Sequence, residues 1–464
     1  MLNKSTVQRV LQAALSTGGD FAELFYEDAD RLNLSMLDGR MENAAASRDH
    51  GAGVRILKGT RSVYASTSDT SEAALLSAAK QAAAALPGAP AEREIVFSAQ
   101  TYAAHSPIVT MPSSVDHRAK IALMRQAHAV TKEASPEISQ VAIRILETDQ
   151  RVLVANSEGL WGEDERVRTR ALVQAVASSG TEFQTGYCAP GYTMGFEAFS
   201  TVIDFEALGR ESARQALTML HAPECPAGFV PVVIDGGFGG VIFHEACGHA
   251  LEATAVAKGN SVFCGKLGRK IAADCVTAID DGTLKNEWGT LDMDDEGLPT
   301  QRNVLIENGI LKSYLIDRLG ARRMDLAPTG SGRRQGYTFA PTSRMNNTFI
   351  AAGTDSEEEM IATMGEGLYA RNMGGGSVNP LTGEFNFAVS EGYWVRDGKI
   401  VHPVRGATLI GKGADVIMDI DRVGPRVWLG TGMCGSLSGS VPTCVGQPRI
   451  RVKGITVGGK GGAR

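Results

Sequence analysis

One segment restricts the possible folds and chemistries of this chain more than any other. From Asp235 to Glu252 it reads DGGFGGVIFHEACGHALE, which sets two imidazoles and a carboxylate, His244, Glu245 and His249, inside an apolar, helix-forming run. Histidines four residues apart on a helix lie on one face and can reach one metal ion, while a Glu beside the first can polarise a water on that ion. Here the spacing is five. At roughly 100° per residue a regular helix would splay the two rings by about 140°. A wider π turn between them would bring residues five apart into line. Gly248, with no side chain to clash, is where the distortion is expected. A core helix with two incidental histidines is the plainer alternative, but a Glu directly after the first His of a buried helix needs a chemical reason.

The motif HEACGHALEA (244–253) resembles the H-E-x-x-x-H signature of the TldD branch of the TldD/PmbA (TldD/TldE) metallopeptidase family. Further on, GSGRRQGY (330–337), RMNNTFI (344–350), the Gly-rich run at 374–411 and GTGMCGS (430–436) are similar to that family's C-terminal half in order and spacing. The likeness covers most of residues 225–464 and the first part only loosely. The other branch lacks the His and Glu residues, so their presence puts this chain on the catalytic side.

Two histidines rarely suffice for a catalytic zinc, which usually takes three protein ligands and leaves a fourth position to water. Cys247, Glu252, His402 and Cys434 are the candidates for the third. Cys247 can equally be a small buried residue. Glu252, three residues past His249, can bind metal or orient a ligand from behind. His402, next to Pro403, reads as an exposed or structural histidine. The glycines around Cys434 permit a sharp turn and a close approach. The resemblance selects Cys434, the Cys of the family's Gly-Met-Cys-Gly element, as the third ligand beside His244 and His249. A thiolate with two imidazoles favours Zn²⁺, one per active subunit.

The function this implies is a zinc-dependent peptidase in which Glu245 takes a proton from a metal-activated water. The alternatives are a non-catalytic peptide-binding or regulatory subunit and a structural zinc protein with four closed ligands. The resemblance further implies that an extended, unfolded peptide is held as an added strand on a sheet edge. Arg333, Arg334 and Tyr337, with Gly374, Gly375 and Gly376, are candidate linings of that groove, although both stretches also read as ordinary turns. It implies too a dimer, either with a TldE/PmbA-type homologue or with a second copy.

Composition excludes other classes. A net charge of −6 and only a short, Gly-interrupted basic cluster at Arg322, Arg323, Arg333 and Arg334 offer nucleic acid no footing, so no direct nucleic-acid partner is expected. No apolar stretch approaches the roughly 20 residues that span a bilayer, and the N-terminus lacks a signal-peptide pattern. Seven cysteines without a C-x-x-C pair predict reduced thiols. A cytoplasmic protein with no membrane partner is expected.

The predicted fold class is α+β, with N-terminal layers of antiparallel sheet and helices and a predominantly β C-terminal domain, barrel- or sandwich-like, that carries the metal-binding helix. A helix at 6–15, strand-like runs at 22–26, 32–37, 53–57 and 62–66 around an Asp38-Gly39 turn, and a helix at 71–86 form one helix–strands–helix series. A Pro/Ala/Glu-rich link at 87–94 and irregular sequence lead to a second series: a helix at 115–134, strands at 139–146, 151–156 and 167–177, and a helix at 205–220. The two series are either similar halves, 1–90 and 113–222, or ordinary α+β layering, which is the simpler reading. Pro223, Pro226 and Pro231 place the main boundary near residue 222, giving domains 1–222 and 223–464. Short strands punctuated by Asp-Gly, Asn-Gly and Gly-Gly follow, interrupted by one helix near 356–362.

Overall fold

The computed structural model describes residues 2–90, 94–379 and 382–460. Three residues of the 87–94 link (91–93) and two of the 374–411 run (380 and 381) lie outside the described residues.

Both helix–strands–helix series build one antiparallel sheet. Its strands lie in the order Arg61–Thr67, Arg40–Lys58, Phe21–Leu37, Ile138–Asn156, Leu160–Ser179, and the short parallel Ser98–Ala99, with Glu182–Cys188 and Gly191–Tyr192 also paired to Leu160–Ser179. Phe21–Leu37 is the seam, paired along its length with Arg40–Lys58 on one side and Ile138–Asn156 on the other. The strands are longer than their apolar pattern predicts, because residues 42–49 are exposed and carry no apolar alternation to mark them.

Period-2 alternation divides the sheet's residues between two faces. On one face, Leu24, Tyr26, Val54 and Ile56 bury Val7, Val10 and Leu11 of the helix Lys4–Ala14 and Leu75 and Ala79 of Glu72–Ala84. Farther along the same face, Leu34, Met36, Ile143 and Ile145 take Met124 and Ala127 of His117–Glu133 and Ala213 and Ala216 of Phe205–Leu220. Each large aliphatic side chain removed from water there contributes about 1.5–3 kcal/mol. Helix starts are fixed by capping side chains: Ser71 accepts from Ala74 N, Asp116 from Arg118 N, and Asp204 from Glu206 N and Ala207 N. The other face carries Glu23, Phe25, Glu27 and Arg55 against the C-terminal half, where Phe25 packs on Met293 and Arg55 donates to Glu23 (3.1 Å) and to Glu296.

The C-terminal half contains two larger sheets. In the first, the strands run Ile310–Leu311, Arg302–Glu307, Ala278–Asp281, Asn347–Ile350, Gly439–Gln447 and Trp428–Ser436, antiparallel except for the pairing of Asn347–Ile350 with Gly439–Gln447. In the second, Gly367–Val378, Gly228–Ile234, Ile450–Gly458, Thr408–Lys412 and Glu384–Arg396 close on themselves through pairing of the first with the last, forming a five-strand barrel. The His-bearing segment lies between them. Ile242, Phe243, Ala246 and Leu251 share one core with Val232, Ile234 and Phe387 of the barrel and with Ala278, Ile350 and Val445 of the sheet. The fold is α+β with the anticipated β-rich C-terminal half. Among the described residues, no helix is long and apolar enough to cross a membrane.

Candidate metal centre

The His-bearing segment is a run of short helical turns. After the strand Gly228–Ile234 come a 3₁₀ turn at Phe238–Gly240, one α turn at Val241–Phe243, a π turn at His244–Gly248 and a second 3₁₀ turn at His249–Leu251. The π turn is where the five-residue spacing requires it. Gly248, however, has ordinary helical angles (φ −56°, ψ −52°), so the distortion does not depend on glycine's conformational freedom. A Cβ at Gly248 would stand 2.3 Å from Met345 Sδ. The residue is needed for close packing instead.

Cys434 arrives on Trp428–Ser436, the edge strand of the six-stranded sheet. Its neighbour Gly439–Gln447 brings Gly446 against Gly240 so tightly that a Cβ on Gly240 would be 2.4 Å from Gly446 N. This backbone-to-backbone approach sets the spacing between the His segment and the strand pair that bears Cys434. Arg344, fully buried, secures the hairpin turn: Nη1 donates to Ser438 Oγ (3.0 Å) and Gly439 O (2.8 Å), and Nη2 to Cys434 O. Nothing in the local sequence pattern marks Arg344 for this role. Its one signal is a place in RMNNTFI, since a lone arginine has no diagnostic spacing.

The structure brings His244, His249 and Cys434 together. Cys434 Sγ is 3.2 Å from both His244 Nε2 and His249 Nε2, and all three donor atoms lie within 4.8 Å of one another. The two rings are set at 80° to each other. Donors around a tetrahedral zinc, at about 2.0–2.1 Å for nitrogen and about 2.3 Å for sulfur, stand roughly 3.5 Å apart. The residues present therefore fit a small divalent ion by spacing and by donor type. Burial alone would push the Cys434 thiol up, but His244 and His249 outweigh it and pull it down to about 3. Burial likewise opposes a proton on His249, and Glu252 and Cys434 overcome it and raise the imidazole's pKa.

Two carboxylates flank His249. Glu252 Oε1 is 3.1 Å from His249 Nδ1, on the far side of the ring from Cys434. Glu252 leaves the helix in an extended conformation, and the chain on either side of it is tied to Leu315 through Ala253 N to Leu315 O (2.8 Å) and Leu315 N to Leu251 O (2.9 Å). Glu245 Oε2 is 3.7 Å from His249 Nε2, and its side chain is 30% exposed, open to solvent where the other members of the cluster are enclosed.

The other candidates sit elsewhere. Cys247 is buried in the core, and burial raises its thiol pKa. His402 pairs with Trp394 in the barrel's outer hairpin. Arg333 is buried and donates to Met345 O (2.6 Å); Arg334 donates to Glu23 (2.6 Å) across the junction between the halves. Tyr337 N donates to Glu27 (2.8 Å), and its carbonyl accepts from Tyr64 Oη (2.6 Å). Gly374 and Gly375 occupy a bulge between the Met373–Val389 and Gly376–Phe387 pairs.

Three family models match, those of the PmbA/TldA metallopeptidase domain 1 over residues 22–86, the central domain over 111–220 and the C-terminal domain over 227–459. The chain belongs to the TldD/PmbA metallopeptidase family. A relative from Haemophilus influenzae named a metalloprotease TldD homolog is 34% identical, over 99% of this chain and 97% of its own length. A relative from Saccharolobus solfataricus named a zinc metalloprotease TldD homolog is 30% identical, over 56% of this chain and 58% of its own. The crystal structure of TldE from Thermococcus kodakarensis shares the fold, with a TM-score of 0.76 at 18% identity over 98% of this chain and 99% of that one. The names of the relatives support a metallopeptidase role for this TldD/PmbA family member.

Proposed function

We propose that the chain is a zinc-dependent peptidase that hydrolyses unfolded or extended peptides, with His244, His249 and Cys434 as metal ligands and Glu245 as the catalytic base. The observation that supports this most is the convergence of those three donor atoms within 4.8 Å, with a half-open carboxylate beside them. When bound, zinc supplies Lewis acidity, lowering the pKa of a water toward about 7 and polarising a carbonyl. Glu245 accepts the proton of the attacking water and returns it to the leaving amine. Glu252 holds the His249 ring in orientation through Nδ1, which leaves Nε2 directed at the cluster.

An extended peptide would pair with a free strand edge. Candidate edges among the described residues include the part of Trp428–Ser436 beyond Leu429, where a bridge to Gly237 ends and which carries Cys434, and the part of Gly367–Val378 beyond Ala370, where pairing with Gly228–Ile234 ends. Main-chain pairing gives affinity with little side-chain selectivity. The proposal extends to two units, 1–222 and 223–464, to a cytoplasmic site of action, and to a TldE/PmbA-type partner or a second copy of the chain.

Replacing Glu245 by Gln tests the assignment. Metal content of the purified protein should persist, while cleavage of an unfolded peptide by the chain with its partner should fall by at least about 10²-fold. Full cleavage by the E245Q variant, or chelator-insensitive cleavage by the parent, would overturn it. Retention of peptide binding without cleavage in the parent would favour the non-catalytic subunit instead.

A further inference from the structure

Behind the strand that carries Cys434 lies a half-open cavity of about 410 Å³ between the N-terminal sheet and the C-terminal half. Side chains alternate along a strand, so Met433, which lines this cavity, points away from the face that Cys434 presents to the histidines. The opposite wall is Leu160–Ser179, where Arg166, Arg168 and Arg170 all line the space from alternate positions. Arg333 and Arg334 add two more guanidiniums from the C-terminal half.

The charges of this cavity do not balance. Arg166 pairs with Asp164 (2.7 Å) and Asp295 (2.6 Å), Arg334 with Glu23 (2.6 Å), and Arg31 at the rim with Asp49 (2.8 Å). Arg168, Arg170 and Arg333 have only neutral partners among the described residues. Arg168 donates to the Trp288 and Thr290 carbonyls (3.2 and 3.3 Å), Arg170 to the Ala189 and Thr431 carbonyls (3.1 and 3.5 Å), and Arg333 to Met345 O. Arg168 is 5% exposed and Arg333 2%, and Arg333 Nε has no hydrogen-bond partner.

An uncompensated buried charge costs several kcal/mol, and arginine scarcely ever relieves that cost by losing its proton. Here burial depresses Arg168 to about 9, with Arg166 and Arg333 adding to the effect against Asp164 and Asp295, and depresses Arg333 to about 10 in spite of Asp295, with Arg344 and Arg166 adding to the effect of burial. Carbonyl acceptors alone could be met by a neutral amide. Cations collected against their own repulsion beside a cavity make sense as one half of a recognition pair. The planar guanidinium is suited to the two oxygens of a carboxylate. Leu146, Leu291, Trp288, Met433 and Pro442 supply apolar walls that suit an organic anion better than a bare inorganic one.

We infer that this cavity is an anion subsite in which Arg168, Arg170 and Arg333 hold a peptide carboxylate, either the C-terminal carboxylate or an Asp or Glu side chain. That the anion belongs to a peptide rests on the peptidase reading. The link to the metal cluster is short: Met433 is next to Cys434, and Arg344, whose charge Arg333 senses, donates to the Cys434 carbonyl.

The test is equilibrium binding, by fluorescence anisotropy, of three labelled peptides of one unfolded sequence to the full chain. One has a free C-terminus and no acidic residue, one is amidated with no acidic residue, and one is amidated with an internal Glu. At least one carboxylate-bearing peptide should bind about tenfold or more tighter than the neutral one, and which of them does so tells the C-terminal from the side-chain source. Arg168→Gln should abolish this preference while leaving the neutral peptide's affinity unchanged. Arg170→Gln, nearer the mouth, does the same if the first variant fails to fold. Equal affinities for all three peptides, or a preference that survives both substitutions, would overturn the subsite. So would competition by inorganic phosphate alone without any carboxylate preference. The outcome is separable from the peptidase reading, because a chain that cleaves peptides in the Glu245-dependent manner and shows no carboxylate preference loses only the subsite.

Discussion

At the scale of single residues, the centre depends on atoms that are absent as much as on those that bind. Met345 Sδ stands where a Cβ of residue 248 would be, 2.3 Å away, inside the π turn that joins the two histidines. Gly248→Ala therefore meets the end of a flexible side chain, and overpacking of this kind costs about 1–3 kcal/mol. Thermal unfolding of the variant should show that loss, and Met345→Ala in the same chain should recover part of it. Unchanged stability of the single variant would mean that Met345 turns aside freely. Sequence spacing identified the glycine but gave it a different purpose, since a thioether 97 positions further along the chain leaves no trace in a local pattern.

At the scale of elements, the decisive contact is between the start of the His segment and the strand Gly439–Gln447. Gly240 meets Gly446 backbone to backbone, so Gly240→Ala has no side chain to push aside. It should lower stability more than Gly248→Ala does and, by parting the histidines from Cys434, weaken retention of the proposed metal ion against a competing chelator. A variant that retains added zinc as tightly as the parent does would show that the two elements are not spaced by this contact. The sequence made the helices legible because their starts are marked: the expected 205–220 and 356–362 segments appear as Phe205–Leu220 and Glu357–Ala362, each preceded by its capping Asp204 or Ser356. It missed Arg318–Met324, whose polar residues and central Gly320 show no apolar stripe. The π turn followed from the five-residue spacing. Cys434, 185 residues from His249, is one of four candidates by residue type and is singled out only by family resemblance, because the strand that delivers it is placed by the sheet and not by its own residues.

At the scale of the whole molecule, the junction between the halves is a layer of buried charge. Asp294 lies in it, its carboxyl pushed up to about 8 by burial and by neighbouring Glu296, against the pull of the Leu298, Gly332 and Glu296 N–H groups. A carboxyl whose folded pKa is raised binds its proton more tightly in the folded chain. Its contribution to stability is complete below the unfolded value of about 4 and is lost as pH rises toward the folded one. Urea unfolding from pH 5 to pH 7 should show this group lowering stability by up to about 1.4 kcal/mol per pH unit, and Asp294→Asn should remove that slope. An identical slope in the variant would place the titration elsewhere. The seam strand has a further consequence in time. Phe21–Leu37 has one partner close by in the chain and the other more than a hundred positions later, so a growing polypeptide carries an open flank until that later strand leaves the ribosome. Distant pairing of this kind slows folding and leaves the unfinished intermediate prone to aggregation, so the period of greatest danger for this molecule comes before its C-terminal half has been synthesised.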